Sequence, residues 1–215
     1  KLYFMTGLPT ETDEDLRGIA HMAQRVIDAY FTVPREKRAR GLRVTCSASV
    51  FVPKPFTPFQ WAAQDSLEVM EQKQAALREY LKIKSVTFNW HEGHLSRLEA
   101  CISRGDRRIG DVIYTAWKKG CRLDGWNEFF RYDLWMDAFR ECGLEPDFYA
   151  TRSRAYDELL PWAFIDAGVT QEYLRRECER AKQGLTTRDC RKGCNGCGLQ
   201  RWKGVCSCYE NAGRV

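Results

Sequence analysis

The chain has 215 residues, 44% of them hydrophobic, and carries 34 Lys plus Arg against 29 Asp plus Glu, a formal net charge of +5. That length and apolar content suffice for a core burying roughly 70% of the unfolded surface, and they exclude a disordered or low-complexity chain. No apolar run reaches the roughly 18–20 residues of a membrane span, and a mild, scattered positive charge does not by itself argue for nucleic acid.

The first residues, Lys1-Leu2-Tyr3-Phe4-Met5, read as the middle of a strand, with no initiator Met and none of the basic and apolar regions of a signal peptide. The expectation is a piece of a larger protein. The strand ends at Gly7-Leu8-Pro9-Thr10-Glu11-Thr12. Thr12, with Asp15 three residues on, then forms a helix N-cap signature, and the acids at 13–15 suit a helix N-terminus. Leu16, Ile19, Ala23, Val26, Ile27 and Tyr30 keep helical spacing and predict a helix over 13–30. After a basic connection at 34–43, the stretch LRVTCSASVFV (42–52) predicts a second strand, stopped by Pro53, Pro55 and Pro58. A strand, loop, helix, strand order is the grammar of a parallel α/β sheet or barrel.

Leu67, Met70, Leu77 and Leu81 predict a helix over 64–81, and SVTFNW (85–90) predicts a short strand. Asp106 reads as the N-cap of a helix carrying Ile109, Val112, Ile113, Ala116 and Trp117 and ending at Gly120. A helix through Leu134, Trp135, Ala138 and Phe139 ends at Gly143 in the same way. Thr170 caps a charged helix reaching about Ala181. Trp61, Trp90, Trp117, Trp126, Trp135 and Trp162 are expected mostly in the core. Beyond Gly184 the composition turns to Gly, Cys and basic residues, and there is no internal repeat. The expected organisation is 1–62, a sheet-forming unit; 63–184, an α-rich extension with one short strand; and 185–215, a Cys-rich tail.

The ten cysteines divide into five scattered between Cys46 and Cys178 and five from Cys190 to Cys208. That uneven usage fits a reduced, cytoplasmic chain with a local metal site better than a secreted disulfide framework. The tail spacing Cys190-x3-Cys194-x2-Cys197, then Cys206-x-Cys208, can wrap a soft metal on glycine-rich backbone, and either zinc or an iron–sulfur centre fits. The Gly7–Thr12 turn, at the carboxyl end of a parallel strand and before a helix, is where α/β folds present backbone to ligands; it also reads as an ordinary strand-to-helix turn. Thr57-Pro58-Phe59-Gln60-Trp61 reads as an apolar loop packed over a pocket. Arg104, Asp106 and Arg107 lie in a dense basic run that suits a phosphate or carboxylate, or a solvated capping turn. His91 stands after an apolar strand, where it serves as an acid or base in a cavity or merely hydrogen-bonds at the strand end. The stretch His91-Glu92-Gly93-His94 lacks the i, i+4 His pair of a zinc metalloprotease helix.

Taken together, KLYFMTGLPTETDED (1–15), SASVFVPKPFTPFQW (47–61), SRLEACISRGDRR (96–108), DGWNEFF (124–130), LPWAFIDAGV (160–169) and DCRKGCNGCG (189–198) are similar to uncharacterised radical S-adenosylmethionine proteins with an N-terminal cobalamin (B12)-binding-like domain. The resemblance implies an α/β fold made of the last βα units of a partial barrel, a helical extension and a metal-binding tail. It implies S-adenosylmethionine near Gly7, Leu8 and Pro9, with Phe51 and Val52 flanking the adenine. It also implies a catalytic 4Fe–4S cluster on a loop upstream of Lys1, cobalamin as a further cofactor of the full-length protein, and an electron donor such as flavodoxin or ferredoxin. In such an enzyme the reduced cluster cleaves the cofactor to a 5′-deoxyadenosyl radical that abstracts a substrate hydrogen; a chain without that loop is not expected to turn over alone. The tail triad has the spacing of the family's cluster loop but follows every predicted strand, and Gly196 fills the slot where the family has an aromatic. Cys190, Cys194 and Cys197, with Cys206 or Cys208, are therefore expected to form an auxiliary or structural site. His91, Arg104, Asp106 and Arg107 are the candidate contacts to a substrate, RNA, protein or otherwise. The alternative is a non-catalytic zinc-knuckle module binding RNA or a ribosomal partner.

Overall fold

The computed structural model describes residues 1–202 and Gly204; Cys206 and Cys208 lie outside the described residues. The elements, in chain order, are β1 (Leu2–Thr6), α1 (Asp13–Thr32), β2 (Val44–Val50), α2 (Leu67–Tyr80), β3 (Val86–Trp90), α3 (Gly93–Arg104), α4 (Ile109–Lys118), α5 (Tyr132–Glu141), α6 (Pro146–Ala150) and α7 (Gln171–Lys182). No helix among the described residues is long and apolar enough to cross a membrane.

The strands form one parallel sheet in the order β1-β2-β3. Because side chains alternate along a strand, the register places Phe4 beside Ala48, and Cys46 beside both Leu2 and Phe88, on a single face. That face packs against Leu16, Ile19, Ala23 and Ile27 of α1 and Leu77 of α2. The opposite face carries Tyr3, Ser47 and Asn89 in one row, with Met5 beside Ser49; Tyr3 and Met5 are exposed. Helix α1 begins as its sequence dictates: the Thr12 hydroxyl accepts from the Asp15 amide, and the Asp15 carboxylate accepts from the Thr12 amide at 2.8 Å. This reciprocal cap satisfies two otherwise orphaned donors.

A second core gathers Leu98 and Cys101 of α3, Val112 and Ala116 of α4, Trp135 and Phe139 of α5, and Tyr149 of α6. Between the two cores the chain leaves β2 at Phe51 and runs without regular structure to α2. Buried backbone in such a stretch must find side-chain partners. Gln64 supplies them: its Nε2 donates to the carbonyls of Phe51 and Ser96, both at 3.1 Å, and its own amide donates to the Ala150 carbonyl. Gln60, fully buried, accepts from the Trp162 indole at 2.7 Å and from the Phe56 amide, and donates to Gln171.

Several expectations change. Strand β3 pairs with β2, so the sheet unit extends past the expected boundary at residue 62 and takes α2 with it. Helices α3 and α6 were not foreseen. Asp106 is not the N-cap of α4: it stands two residues before Arg108, whose amide and guanidinium it accepts. Of the tryptophans, Trp61, Trp135 and Trp162 are buried, whereas Trp90, Trp117 and Trp126 are exposed.

Replacing Gln64 by the nearly isosteric Leu leaves the Phe51 carbonyl buried without its donor. We expect a loss of about 1–3 kcal/mol in urea unfolding, with the far-ultraviolet circular dichroism unchanged. A loss within experimental error would show that the seam does not depend on this amide.

Candidate functional site

The end of β1 sets the geometry. Gly7 turns the chain with φ +84°, in the left-handed region that favours glycine. A Cβ there would come within 2.9 Å of an Asp65 carboxylate oxygen. Thr10 also has positive φ, +72°, a conformation that costs a non-glycine residue of order 1 kcal/mol. The two turns bring Glu11 back under the strand, where both its oxygens accept from the Gly7 amide at 3.0 Å.

Lys73 of α2 completes this corner, with its Nζ 2.7 Å from Glu11 and 2.7 Å from Asp65. All three side chains are largely buried, Glu11 the most, with 7% of its side chain exposed. Burial pulls the Lys73 ammonium down, but its hydrogen bonds to Asp65 and Glu11 outweigh that and hold it above the ordinary lysine value. The corner therefore sets two carboxylates against one ammonium.

The cluster floors a cavity of about 580 Å³, within the range of small-molecule sites. Its walls are Leu8 and Pro9 of the β1 turn, Phe59 and Trp61 of the Pro-rich loop, Arg154 and Tyr156 of the segment after α6, and Cys178 and Lys182 of α7. Trp61 and Tyr156 meet edge to face at 4.9 Å. Burial, followed by hydrogen bonds with Cys178 and Glu179, holds the Tyr156 phenol above its ordinary range, so its hydroxyl stays protonated.

The sequence-predicted residues fall into separate places. Gly7, Leu8 and Pro9 line the cavity, and Phe51 stands behind it, next to Gly7 and edge-on to the Phe59 ring. Val52 packs instead against the core of α3–α6. The expected loop over a pocket is present as Phe59 and Trp61. Arg104 is not a surface contact: its guanidinium has no exposed area and donates to the carbonyls of Ala150 at 2.7 Å and Arg152 at 2.9 Å. Asp106 is engaged by Arg108, while Arg107 and His91 are exposed, so these four do not converge on one site. In the tail, Cys190 and Cys194 are exposed and Cys197 is partly buried. Among the described residues no group of three or more His, Cys, Asp or Glu is arranged to hold a metal ion, so the described part of the tail does not by itself form a complete ligand set.

Sequence reasoning missed Asp65, Lys73, Arg154 and Tyr156. Glu11 lay inside the turn motif but carried no signal of its role, since its partner Lys73 is set by the packing of α2 and not by spacing.

Comparison with known proteins gives one relative to report. Over 117 residues, 53% of this chain, the sequence is 30% identical to an uncharacterised protein of Methanocaldococcus jannaschii. That alignment covers 22% of the relative, so the chain spans about a fifth of its length. No family model and no solved structure matches.

Substituting Lys73 by Met leaves Glu11 and Asp65 side by side with no cation. We expect a loss of about 2–4 kcal/mol at neutral pH. A lysine raised in the folded state contributes stability fully below its unfolded pKa and loses it as pH rises through the folded value. The difference between wild type and variant, followed by urea midpoints, should therefore hold through neutral pH and shrink in the alkaline range above 10.5. A difference that grows there would contradict the assignment.

Proposed function

We propose that this chain is the C-terminal portion of a cytoplasmic radical S-adenosylmethionine iron–sulfur enzyme: the last βα units of a partial barrel, a mostly helical extension and a metal-binding tail. The observation that carries the reading is the cavity at the carboxyl ends of β1 and β2, floored by Glu11, Asp65 and Lys73 and walled by Phe59, Trp61 and Tyr156. Its volume admits a ligand of that size. The excess carboxylate of the corner suits a sulfonium cation, the aromatic rings offer flat faces to a purine, and Lys182 can take the ligand's carboxylate. Support also comes from the sheet. Parallel sheets are ordinarily covered on both faces, and here the face bearing Tyr3 and Met5 is open.

A cluster held outside the residues of this chain would supply the electron for reductive cleavage of S-adenosylmethionine, with Gly7, Leu8 and Pro9 of this chain lining the space for that cofactor. This chain's own residues position the cofactor and keep water out. Glu11 locks the β1 turn by accepting from the Gly7 amide, and Lys73 keeps the two carboxylates together. A flavodoxin or ferredoxin is the electron donor this reading requires, and cobalamin belongs to it as a further cofactor of the whole protein.

A protein carrying this chain and the upstream loop, reconstituted anaerobically with iron and sulfide and then reduced, should release 5′-deoxyadenosine. Glu11→Gln should lower that turnover at least tenfold while leaving the cluster absorbance intact. Binding of zinc alone, without any cleavage, would reject the enzyme reading.

The tail metal is part of the same proposal, with Cys206 or Cys208 completing a site begun by Cys190, Cys194 and Cys197. Metal analysis decides it. Cys194→Ser should lower the bound zinc or iron, and unchanged metal content with unchanged stability would remove the site.

A further inference from the structure

A second cavity, of about 540 Å³, opens on the other side of Arg154. Its apolar wall is Phe148, Leu160, Pro161 and Phe164, and at its rim Leu159 and Phe164 are 86% and 85% exposed. Its polar wall is Asp106, Arg152, Arg154 and Glu158.

The wall itself carries two carboxylates and two guanidiniums, and two further arginines, Arg104 and Arg108, stand beside it. Arg152 and Glu158 form a two-pronged pair at 2.7 and 2.8 Å, and Asp106 is held by Arg108 at 2.6 Å. Both carboxylates are thereby taken. Arg104 and Arg154, 0% and 6% exposed, have no carboxylate within salt-bridge distance among the described residues. Arg154 lies over the Trp162 ring at 5.1 Å, and its Nη2 donates to the Arg104 carbonyl, but its Nε is buried with no partner. Burial, then Arg154 and Arg152, pushes Arg104 down to about 10, and burial pushes Arg154 down as well. Glu158 and Asp106 offset part of this from beyond ion-pair distance, but neither bonds Arg154, and a guanidinium with an unpartnered donor is suited to a carboxylate or phosphate.

We propose that this second cavity binds a ligand with an oxyanion head and an apolar body, the head meeting Arg154 and the body lying against Phe148, Leu160 and Phe164. Carboxylate and phosphate share the head-group chemistry. The Arg152–Glu158 pair then acts as an internal competitor, because Glu158 occupies a guanidinium that would otherwise add to the anion site. The proposal goes beyond the S-adenosylmethionine reading and does not depend on it, since its ligand occupies the opposite side of Arg154 and its test uses no cofactor.

Phenyl phosphate, phenylacetate, inorganic phosphate and phenol, titrated into the protein and followed by isothermal calorimetry, test it. Saturable binding of one or both phenyl oxyanions is expected, with phosphate at least tenfold weaker and phenol weaker still; whichever of the two phenyl probes binds more tightly identifies the head group. Phe164→Ala, at a position too exposed to unfold the protein, should weaken the phenyl oxyanion several-fold and leave inorganic phosphate unchanged. Glu158→Gln should tighten both, and Arg154→Gln should abolish both. If Arg154→Gln does not fold, the opposite responses of Phe164→Ala and Glu158→Gln decide. No saturable binding of either phenyl oxyanion, or affinities that none of the folded variants moves, would overturn the proposal.

Discussion

The structure turns on a buried seam of donors, nearly all side chains, that serves carbonyls of the irregular stretch after β2, of helices α3 and α6, and of the segment after α6. Once the chain leaves β2, no strand or helix accounts for its peptide groups until α2, yet much of this stretch is covered by the helical core. Gln64 answers for Phe51 and Ser96, Arg104 for Ala150 and Arg152, and Arg154 for the Arg104 carbonyl through its guanidinium and for Trp61 through its amide. Each of these donors reaches across from one element to another. The sheet, α3 and the segment after α6 are thus tied at a single place, and unpaired carbonyls there would each cost about 1–3 kcal/mol.

That seam also fixes where ligands can go. It holds the Pro-rich loop, with Phe59 and Trp61, against the segment carrying Arg154 and Tyr156, and the first cavity is what remains between them and the β1 turn. The turn cannot close that space, because Gly7 and Asp65 already meet there and Glu11 is spent on the Gly7 amide. The charged groups are arranged along the same line. The β1 side holds the Glu11–Asp65–Lys73 corner with Lys182 opposite, whereas the far side holds Asp106 and the Arg152–Glu158 pair, with Arg154 as the wall between.

Legibility in the sequence followed how local each cause was. The Thr12–Asp15 cap and the alternation of Val44, Cys46, Ala48 and Val50 are set by neighbours a few residues apart, and both elements stand where the pattern placed them. Helix α3 escaped because Glu92 provides no side-chain cap and because its buried face includes Ser96 and Arg104, which break the apolar rhythm. Helix α6 is five residues long and opens on Pro146, too short for any periodicity. Arg104 looked like a surface contact because arginine is rarely buried; only the carbonyls of Ala150 and Arg152, more than forty residues away, explain its place. The glycine turn and the apolar loop of the first cavity were visible in the sequence, whereas its Lys73 and Tyr156 were brought in by packing.

The choice of arginine for this seam has a physical reason and a consequence. An amide offers two donors but brings an acceptor that needs its own partner, and the Gln64 Oε1 is indeed buried without one. A guanidinium offers five donors in a rigid fork and no acceptor, so Arg104 can bridge carbonyls two residues apart without creating a new deficit on the oxygen side. What it leaves behind is charge and an Nε buried without a partner. Helix α3 ends at Arg104, and the carboxylate that follows the Gly105 turn, Asp106, is taken by Arg108 and not by Arg104. Arg104 and Arg154 lie side by side, and Arg154 borders the second cavity. A problem of backbone geometry, solved with the donor that fits it, thus gives the surface beyond it a preference for anions.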